Sequence, residues 1–598
     1  MDSAALNALF SDGNHASQVL LLERCSRSTA TALAESLRDR MPTALAASCH
    51  AAPLWPFAGL TDLLTQACDL AEATGNQRLA NRHWIELPTL APSLAKRIPA
   101  LRPEACFEYR SGEKRRRAGP EWTRRCFHGA IDFLFALQDA LGTQPLVLGF
   151  IGLDGAGPEV MDFFRLLRRR SAGRPVVIWA TASGAFEPSL HGAARVVTAG
   201  DSAEEAGPDR TEPSVEELVQ AADALAYHGP WRDIVAYCRL ALVRMGAEHR
   251  ALLPTLLSTM RVALNGVNEF PVAEQLLLQQ LAQADSLQER VVCLYHLTIL
   301  HSLWQNHLDV AAFYQDAAFR EADQAATPAE RADLMLFAVH SALIVYSRQG
   351  QLERSLALGE AAMAEFLKWW GSDLQRVQQA ILLYGIAQTA EAMGNDLLAV
   401  EYFRRSLAAD PHFPEYYHHY AAALNRLERY TEALAVCEEA WVRTPPYHWL
   451  AMCRGRALQG LGRLQEALAD FDRAIELEPE IPEHHLSRAL LCHEIGNLQE
   501  AVRSYSAYLA LRPGDPEALA NRGSALHDLG ERDAALADLD QAIGLSPTLI
   551  AALANRAALL VDLGRVADAK ADINRALELD PGNELLLQNR NALESMAG

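Results

Sequence analysis

Nowhere in these 598 residues is there a phosphate loop of the form G-x-x-x-x-G-K-[ST], a C-x-x-C pair, or an apolar run of about 18 residues. The first absence removes the backbone cradle that a nucleoside triphosphate needs. The second, with ten cysteines scattered from Cys25 to Cys492, leaves neither a zinc knuckle nor a disulfide framework and suits a reducing cytoplasm. The third predicts no membrane-spanning helix. Basic residues are missing from the start as well: the first is Arg24, and Asp2 stands where an export signal would be positive, so no export is expected. A net charge of −21 argues against the phosphate backbone of a nucleic acid as partner. No Ser/His/Asp or Cys/His arrangement has a recognisable context, so the expectation is a protein that is not an enzyme and uses no cofactor or metal.

What is abundant is alanine and leucine. Half of the residues are hydrophobic but only 7% are aromatic, which predicts a mainly helical chain able to bury a core. Proline stands at 411, 445, 479, 513, 547 and 581, so every gap is 34 residues. The same period carries Ala399, Ala433, Ala467, Ala501, Ala535 and Ala569, and Gly394, Gly462, Gly496, Gly530 and Gly564, with Glu428 the one substitution. Small residues let two helices approach closely, glycine supplies a left-handed turn between them, and proline follows each second helix. This grammar resembles the tetratricopeptide repeat. The resemblance implies a right-handed α-superhelix, with six repeats over 380–583 and a capping helix over 584–598.

The N-terminal 200 residues read differently. Gln18–Glu23, Pro145–Leu153 and Arg174–Ser183 are short apolar runs predicting buried parallel strands, separated by helical stretches such as Ala30–Arg40 and Glu121–Leu141. Their order, with Cys49, His50, Pro56 and Phe57 after a second strand and Leu146, Val147, Leu148, Leu153, Ala156 and Pro158 farther on, resembles the nucleotide-binding domain of signal-transducing ATPases that carry helical repeats. Bacterial maltose-type transcription activators belong to that group. The resemblance implies a P-loop-NTPase-like α/β domain over 1–200, but its chemistry is missing. Arg24 to Leu33 holds no glycine and no lysine, and Ile151 and Gly152 stand where the family places its magnesium-binding and water-orienting acids. The domain therefore reads as degenerate. Residues 201–213 are expected to be a linker, within a loop-like stretch over 191–213, and 214–379 to be divergent helical repeats with Gly229 and Gly350 at turns.

Several constellations are candidates for recognition. If each proline is position 32 of its unit, position 6 of the first helix faces a concave groove and is occupied by His419, Cys453, Ser487, Asn521, Asn555 and Asn589. The three asparagines resemble the ladder with which the repeats of O-linked N-acetylglucosamine transferases hold a peptide backbone, although no transferase domain accompanies them here. An amide can pair with both groups of a backbone, or it can bond a neighbouring helix. One position later, Arg454, Arg488, Arg522, Arg556 and Arg590 either invite an acidic partner or bridge to Asp470, Ser504, Asp538 and Asp572 of their own second helices. Trp449, Met452, Arg456 and His493 fall at groove-facing positions and are residue types that protein-binding hot spots favour. Tyr417 and His485 are expected to fill the buried large position. Lys114 to Arg117, with Arg124 and Arg125, read as a solvated loop or a dock for an acidic partner. Together these readings favour an adaptor that binds a protein or peptide in its groove. A regulator or enzyme accessory that still responds to nucleotide is the alternative. A DNA-binding activator is not expected, since no helix-turn-helix follows residue 598.

Overall fold

The structure is a computed structural model, and it describes residues 18–23, 25, 27–49, 56–98, 120–142, 144–182, 185–186, 195–198, 213–226, 230–372 and 376–596. Arg24, Ser26, His50, Lys114 to Arg117, Gly229 and almost all of the expected linker lie outside the described residues. The chain divides into two compact units, Met1–Ala423 with Glu439–Pro446, and Leu424–Glu438 with Tyr447–Gly598.

In the first unit the apolar runs become β1 (Gln18–Glu23), β3 (Leu146–Ile151) and β4 (Val176–Thr181), joined by β2 (Ala44–Ser48) and β5 (Arg195–Thr198). The order is β2-β3-β4-β1-β5, and every pairing is parallel. Between strands run α1 (Arg27–Arg40), α2 (Ala58–Ala73), the short α3 (Gln77–Arg82) and α4 (Glu86–Leu90), then α5 (Pro120–Leu141) and α6 (Pro158–Arg170). Alternation along the strands sends side chains to two cores. Leu20, Leu22, Val147, Val177 and Trp179 pack with Ala30, Leu33 and Leu37 of α1. Leu21, Leu148, Phe150, Ile178 and Ala180 pack with α2, α5 and α6 through Leu63, Phe133 and Phe163. Both faces are covered, and this explains why the strands read as unbroken apolar runs. Gly149 is bare because its neighbour across the sheet is Trp179: a Cβ there would lie 2.4 Å from the indole ring.

β5 corrects one expectation. The stretch 191–213 was expected to be loop, yet Arg195–Thr198 pairs with Leu20 to Glu23 and completes the sheet. Its four residues, RVVT, are too short to show periodicity, and only the pairing partner makes them a strand.

Helices follow from Val215 onward: α7 (Val215–Leu225), α8 (Trp231–Arg244), α9 (Leu253–Gly266) and α10 (Phe270–Gln283) open the series. α7 starts on a capping box. The Ser214 hydroxyl accepts from the Glu217 N–H at 3.2 Å, and the Ser214 N–H donates to the Glu217 carboxylate at 2.8 Å. Among the described residues no helix is long and apolar enough to cross a membrane. The basic cluster at the start of α5 also needs correction. Arg125 is not solvated: it is 8% exposed, and both its terminal nitrogens donate to Glu415 at 3.0 Å. Nearby in the same unit, the Trp84 indole N–H donates to the Val442 carbonyl at 3.1 Å and the ring meets His412 edge-on.

The period-34 grammar has a direct structural meaning in the second unit. Pro516–Asp528 and Arg532–Leu545 form one helix pair, and Ile550–Asp562 and Val566–Leu579 the next, before a final helix, Glu584–Met596. The turn glycines Gly462, Gly496, Gly530 and Gly564 sit at φ of 74°, 75°, 82° and 74°. Glu428 holds the same turn at φ 58°, where a side chain crowds its own backbone. Gly455 lies against Phe471, with room for no Cβ: it would stand 2.5 Å from the ring.

Candidate peptide-binding residues of the repeats

Position 7 settles first. Arg454, Arg522 and Arg556 each turn to the second helix of their own repeat and take both oxygens of Asp470, Asp538 and Asp572. Those carboxylates are nearly buried, at 2%, 7% and 6% exposure. Burial pushes Asp470 above its usual range and Arg454 pulls it back. The arginines also reach backward across the repeat boundary: Arg488 to Asp472 at 2.5 Å, Arg522 to Ser506 at 3.0 Å and Arg556 to Asp540 at 2.6 Å. Arg488, Arg522 and Arg556 thus each join two second helices, and these guanidinium groups are spent inside the protein.

Position 6 behaves otherwise. The side chains of Ser487, Asn521 and Asn589 are half-buried and form no hydrogen bond with any described residue. Asn555 donates to the Ala520 carbonyl of the preceding repeat, at a long 3.4 Å. The ladder therefore splits, with Asn555 turned toward a neighbouring helix while Asn521 and Asn589 keep their amides available. His419, at the same register in the first unit, is engaged: its Nδ1 lies 3.0 Å from Glu391 and its ring stacks on Phe403.

Groove-facing expectations divide too. Arg456 is exposed, and its side chain forms no hydrogen bond with a described residue. Met452 is a correction, since it is 2% exposed and belongs to the core, offering no surface to a ligand. An unbranched thioether adapts well to such a buried place. Trp449 is half-buried and packs edge-on against His484. His493 bonds Asp528 across the repeat boundary at 3.4 Å.

That last bond belongs to a second ladder that the sequence reading missed. Gln459 donates to Glu494 at 2.6 Å, His493 meets Asp528, and His527 meets Asp562 at 2.8 Å. The signal was present as a polar residue every 34 positions followed, 35 residues on, by an acid. Tyr417 and His485 do occupy equivalent places, the hydroxyl donating to the Pro411 carbonyl at 2.9 Å and the imidazole Nε2 lying 2.8 Å from the Pro479 carbonyl. His484 proves the more deeply buried of the histidine pair, fully enclosed with its Nε2 2.8 Å from His448 Nδ1. Among the described residues no group of three or more His, Cys, Asp or Glu side chains could hold a metal.

In the α/β layer, the carboxyl ends of the strands are tied to one another. The Cys25 N–H donates to the Ala182 carbonyl at 2.9 Å, the Gly152 N–H to the Thr181 hydroxyl at 2.9 Å, and the Cys49 N–H to the Ile151 carbonyl at 2.7 Å. Ile151 is 6% exposed, a core side chain where an acid would have to face solvent.

Tetratricopeptide-repeat family models match residues 384–448, 454–516, 494–550 and 550–583. The region 384–583 therefore carries tetratricopeptide repeats. Among solved structures, a tetratricopeptide repeat protein from Parabacteroides merdae is similar at 17% identity, covering 44% of this chain and 99% of that one with a TM-score of 0.34. YrrB, described as a TPR protein with an unusual peptide-binding site, is 23% identical over 32% of this chain and 96% of its own, with a TM-score of 0.28. The Cut9–Hcn1 assembly of the APC/C is 12% identical over 64% and 90%, with a TM-score of 0.32. Among curated protein sequences none matches the chain.

Proposed function

We propose that the chain is a non-enzymatic adaptor whose repeats receive an extended segment of a partner protein. The observation that carries this reading is the contrast between adjacent positions. Arg522 is consumed internally, while Asn521 beside it keeps both donor and acceptor available, as do Asn589 and the exposed Arg456 its donors. A backbone needs a donor and an acceptor at each step, and an unengaged amide supplies both. In this reading 380–583 forms six repeats of a right-handed superhelix closed by 584–598, with 214–379 as divergent repeats. Residues 1–200 serve as a degenerate ATPase-like domain, separated from them by a linker over 201–213, in a cytoplasmic protein.

The test is affinity capture from the native host with wild type and with Asn521→Ala combined with Asn589→Ala. Captured proteins are identified by mass spectrometry and the interaction is then measured with purified partner. The double substitution should weaken binding by about 1–3 kcal/mol and leave the thermal midpoint unchanged. Full-strength binding by the double variant would move recognition away from position 6.

The nucleotide-responsive alternative draws on the sheet, in which β1 is an interior strand between β4 and β5, so that the loop after β1 opens at the carboxyl edge with a strand on either side. Against it stands the lack of any glycine or lysine from Arg24 to Leu33. Calorimetry with ATP and magnesium should give no heat of binding. A micromolar Kd lost on replacing Ser28 and Thr29 would favour the alternative.

A further inference from the structure

Within the second compact unit, the first helices Pro482–Glu494, Pro516–Asp528 and Ile550–Asp562 each end on an acid. The negative end of each helix dipole thus coincides with a carboxylate, an arrangement that costs stability and that a cation relieves. No lysine or arginine among the described residues pairs with these acids. Glu494 accepts from Gln459, Asp528 meets His493 and Asp562 meets His527, each partner lying one repeat earlier. All three acids are exposed, Asp528 and Asp562 by 52% of their side chains. Each of these helices has one arginine, and Arg488, Arg522 and Arg556 are committed to acids of the second helices. Arg532, beyond the turn from Asp528, forms no ion pair with it. The exposed Arg456 belongs to the helix before, which ends on Gly460 and has no acid in this register. About two turns back, on the same face of each helix, stand Ser487, Asn521 and Asn555. An acidic row therefore runs parallel to the amide and hydroxyl row across three repeats.

We propose that the partner segment is basic and takes the polyproline II conformation, with a lysine or arginine at every third position. This rests on the reading that the repeats receive an extended segment, and it names the chemistry of that segment. Charge sets the first part: three exposed carboxylates without a lysine or arginine partner, at the negative ends of three helices, attract cations in register. Spacing sets the second. First helices of consecutive repeats are direct neighbours, since His527 of one reaches Asp562 of the next, and packed helices stand about 8–10 Å apart. A polyproline II segment advances about 9 Å in each turn of three residues and returns its side chain to the same face. A β-strand advances about 10 Å over three residues, but its third side chain points to the opposite face. The first conformation delivers one cation to each of Glu494, Asp528 and Asp562, and the second does not. Polyproline II also has no internal hydrogen bonds, so its carbonyls stay open to the Ser487 hydroxyl and the Asn521 amide, which are themselves unengaged.

The experiment is isothermal titration calorimetry on the full chain at low ionic strength with three synthetic peptides of one length, blocked at both ends. One carries lysine at every third position of a proline background, one the same lysines side by side, and one glutamate in place of the spaced lysines. The spaced-lysine peptide should bind with a Kd below about 1 mM, the contiguous one roughly fivefold more weakly or worse, and the glutamate one not at all. Asp528→Asn combined with Asp562→Asn should weaken the spaced-lysine peptide by roughly fivefold or more. The thermal midpoint should not fall, because both side chains are exposed and the change removes charge that opposes the helix dipole. No heat from the spaced-lysine peptide up to about 5 mM would overturn the proposal, as would equal affinity for the two lysine arrangements or undiminished binding by the aspartate variant. Asn521→Ala combined with Asn589→Ala separates this proposal from the amide reading. Weaker binding there with full binding by the aspartate variant overturns the charge proposal and leaves the amide row standing, whereas the opposite pattern supports the charge proposal and removes the amides from recognition.

Discussion

Arg522 holds Asp538 with two parallel hydrogen bonds, 2.7 Å from Nε and 2.8 Å from Nη2, across the two helices of one repeat. The carboxylate is 7% exposed, so removing the arginine would leave a buried negative charge with no counterpart. Arg522→Ala should therefore cost about 3 kcal/mol in urea unfolding, and Arg556→Ala a similar amount. Arg456→Ala, at an exposed position without such a partner, should stay within about 0.5 kcal/mol of wild type. Equal losses at all three positions would mean that the arginines act by packing instead of by charge.

Glu428 occupies the one turn where the repeat grammar calls for glycine, at φ 58°. Its side chain extends into solvent, and the strain comes from Cβ against its own backbone. Glu428→Gly should raise stability by about 1 kcal/mol, after allowing for the extra freedom glycine gains in the unfolded chain. Chemical denaturation followed by circular dichroism checks this. No gain would show that the turn tolerates the side chain without cost.

Acid should loosen the repeats through His484. Burial pushes its imidazole down from 6.5 to about 4, assisted by the positive charges of His485 and Arg456. The unfolded chain then takes up this proton before the folded one does. The stability tied to neutral His484 is complete above pH 6.5 and is lost as pH falls from there through 4. Between those limits, the pH dependence of the denaturation midpoint should be shallower in His484→Leu than in wild type. Parallel curves would exclude His484 as a source of acid sensitivity.

The repeats were legible because their determinants are local. Gly530 and Pro547 each act within a few residues, and recurrence at 34 turns weak single-residue preferences into a strong one. The strands β1, β3 and β4 were legible because both their faces are covered and they read as apolar runs. β5 was not, since RVVT becomes a strand only through its pairing with β1, far away in sequence. Within the candidate site the Arg522–Asp538 and Arg556–Asp572 pairs were one of the two outcomes that the repeat spacing allowed, and burial of the carboxylates is what selects it. The burial of Met452 did not follow from spacing, because helix position tells which face a residue takes but not how deeply its neighbours enclose it.

The interior place of β1, next to the edge strand β5, bears on the order in which the protein forms during synthesis. β1 leaves the ribosome before the other four strands, yet it is flanked by β4 and β5, the last two made, so it must wait for the chain through Thr198 before both edges are filled. Until then QVLLLE has unpaired backbone and two apolar faces, the features of a segment that seeks other chains. The repeats face no such delay, since each helix pair can close on residues just completed. Nascent chains arrested before residue 176 should accordingly be the ones that engage chaperones, whereas the later part of the polypeptide should fold as it emerges.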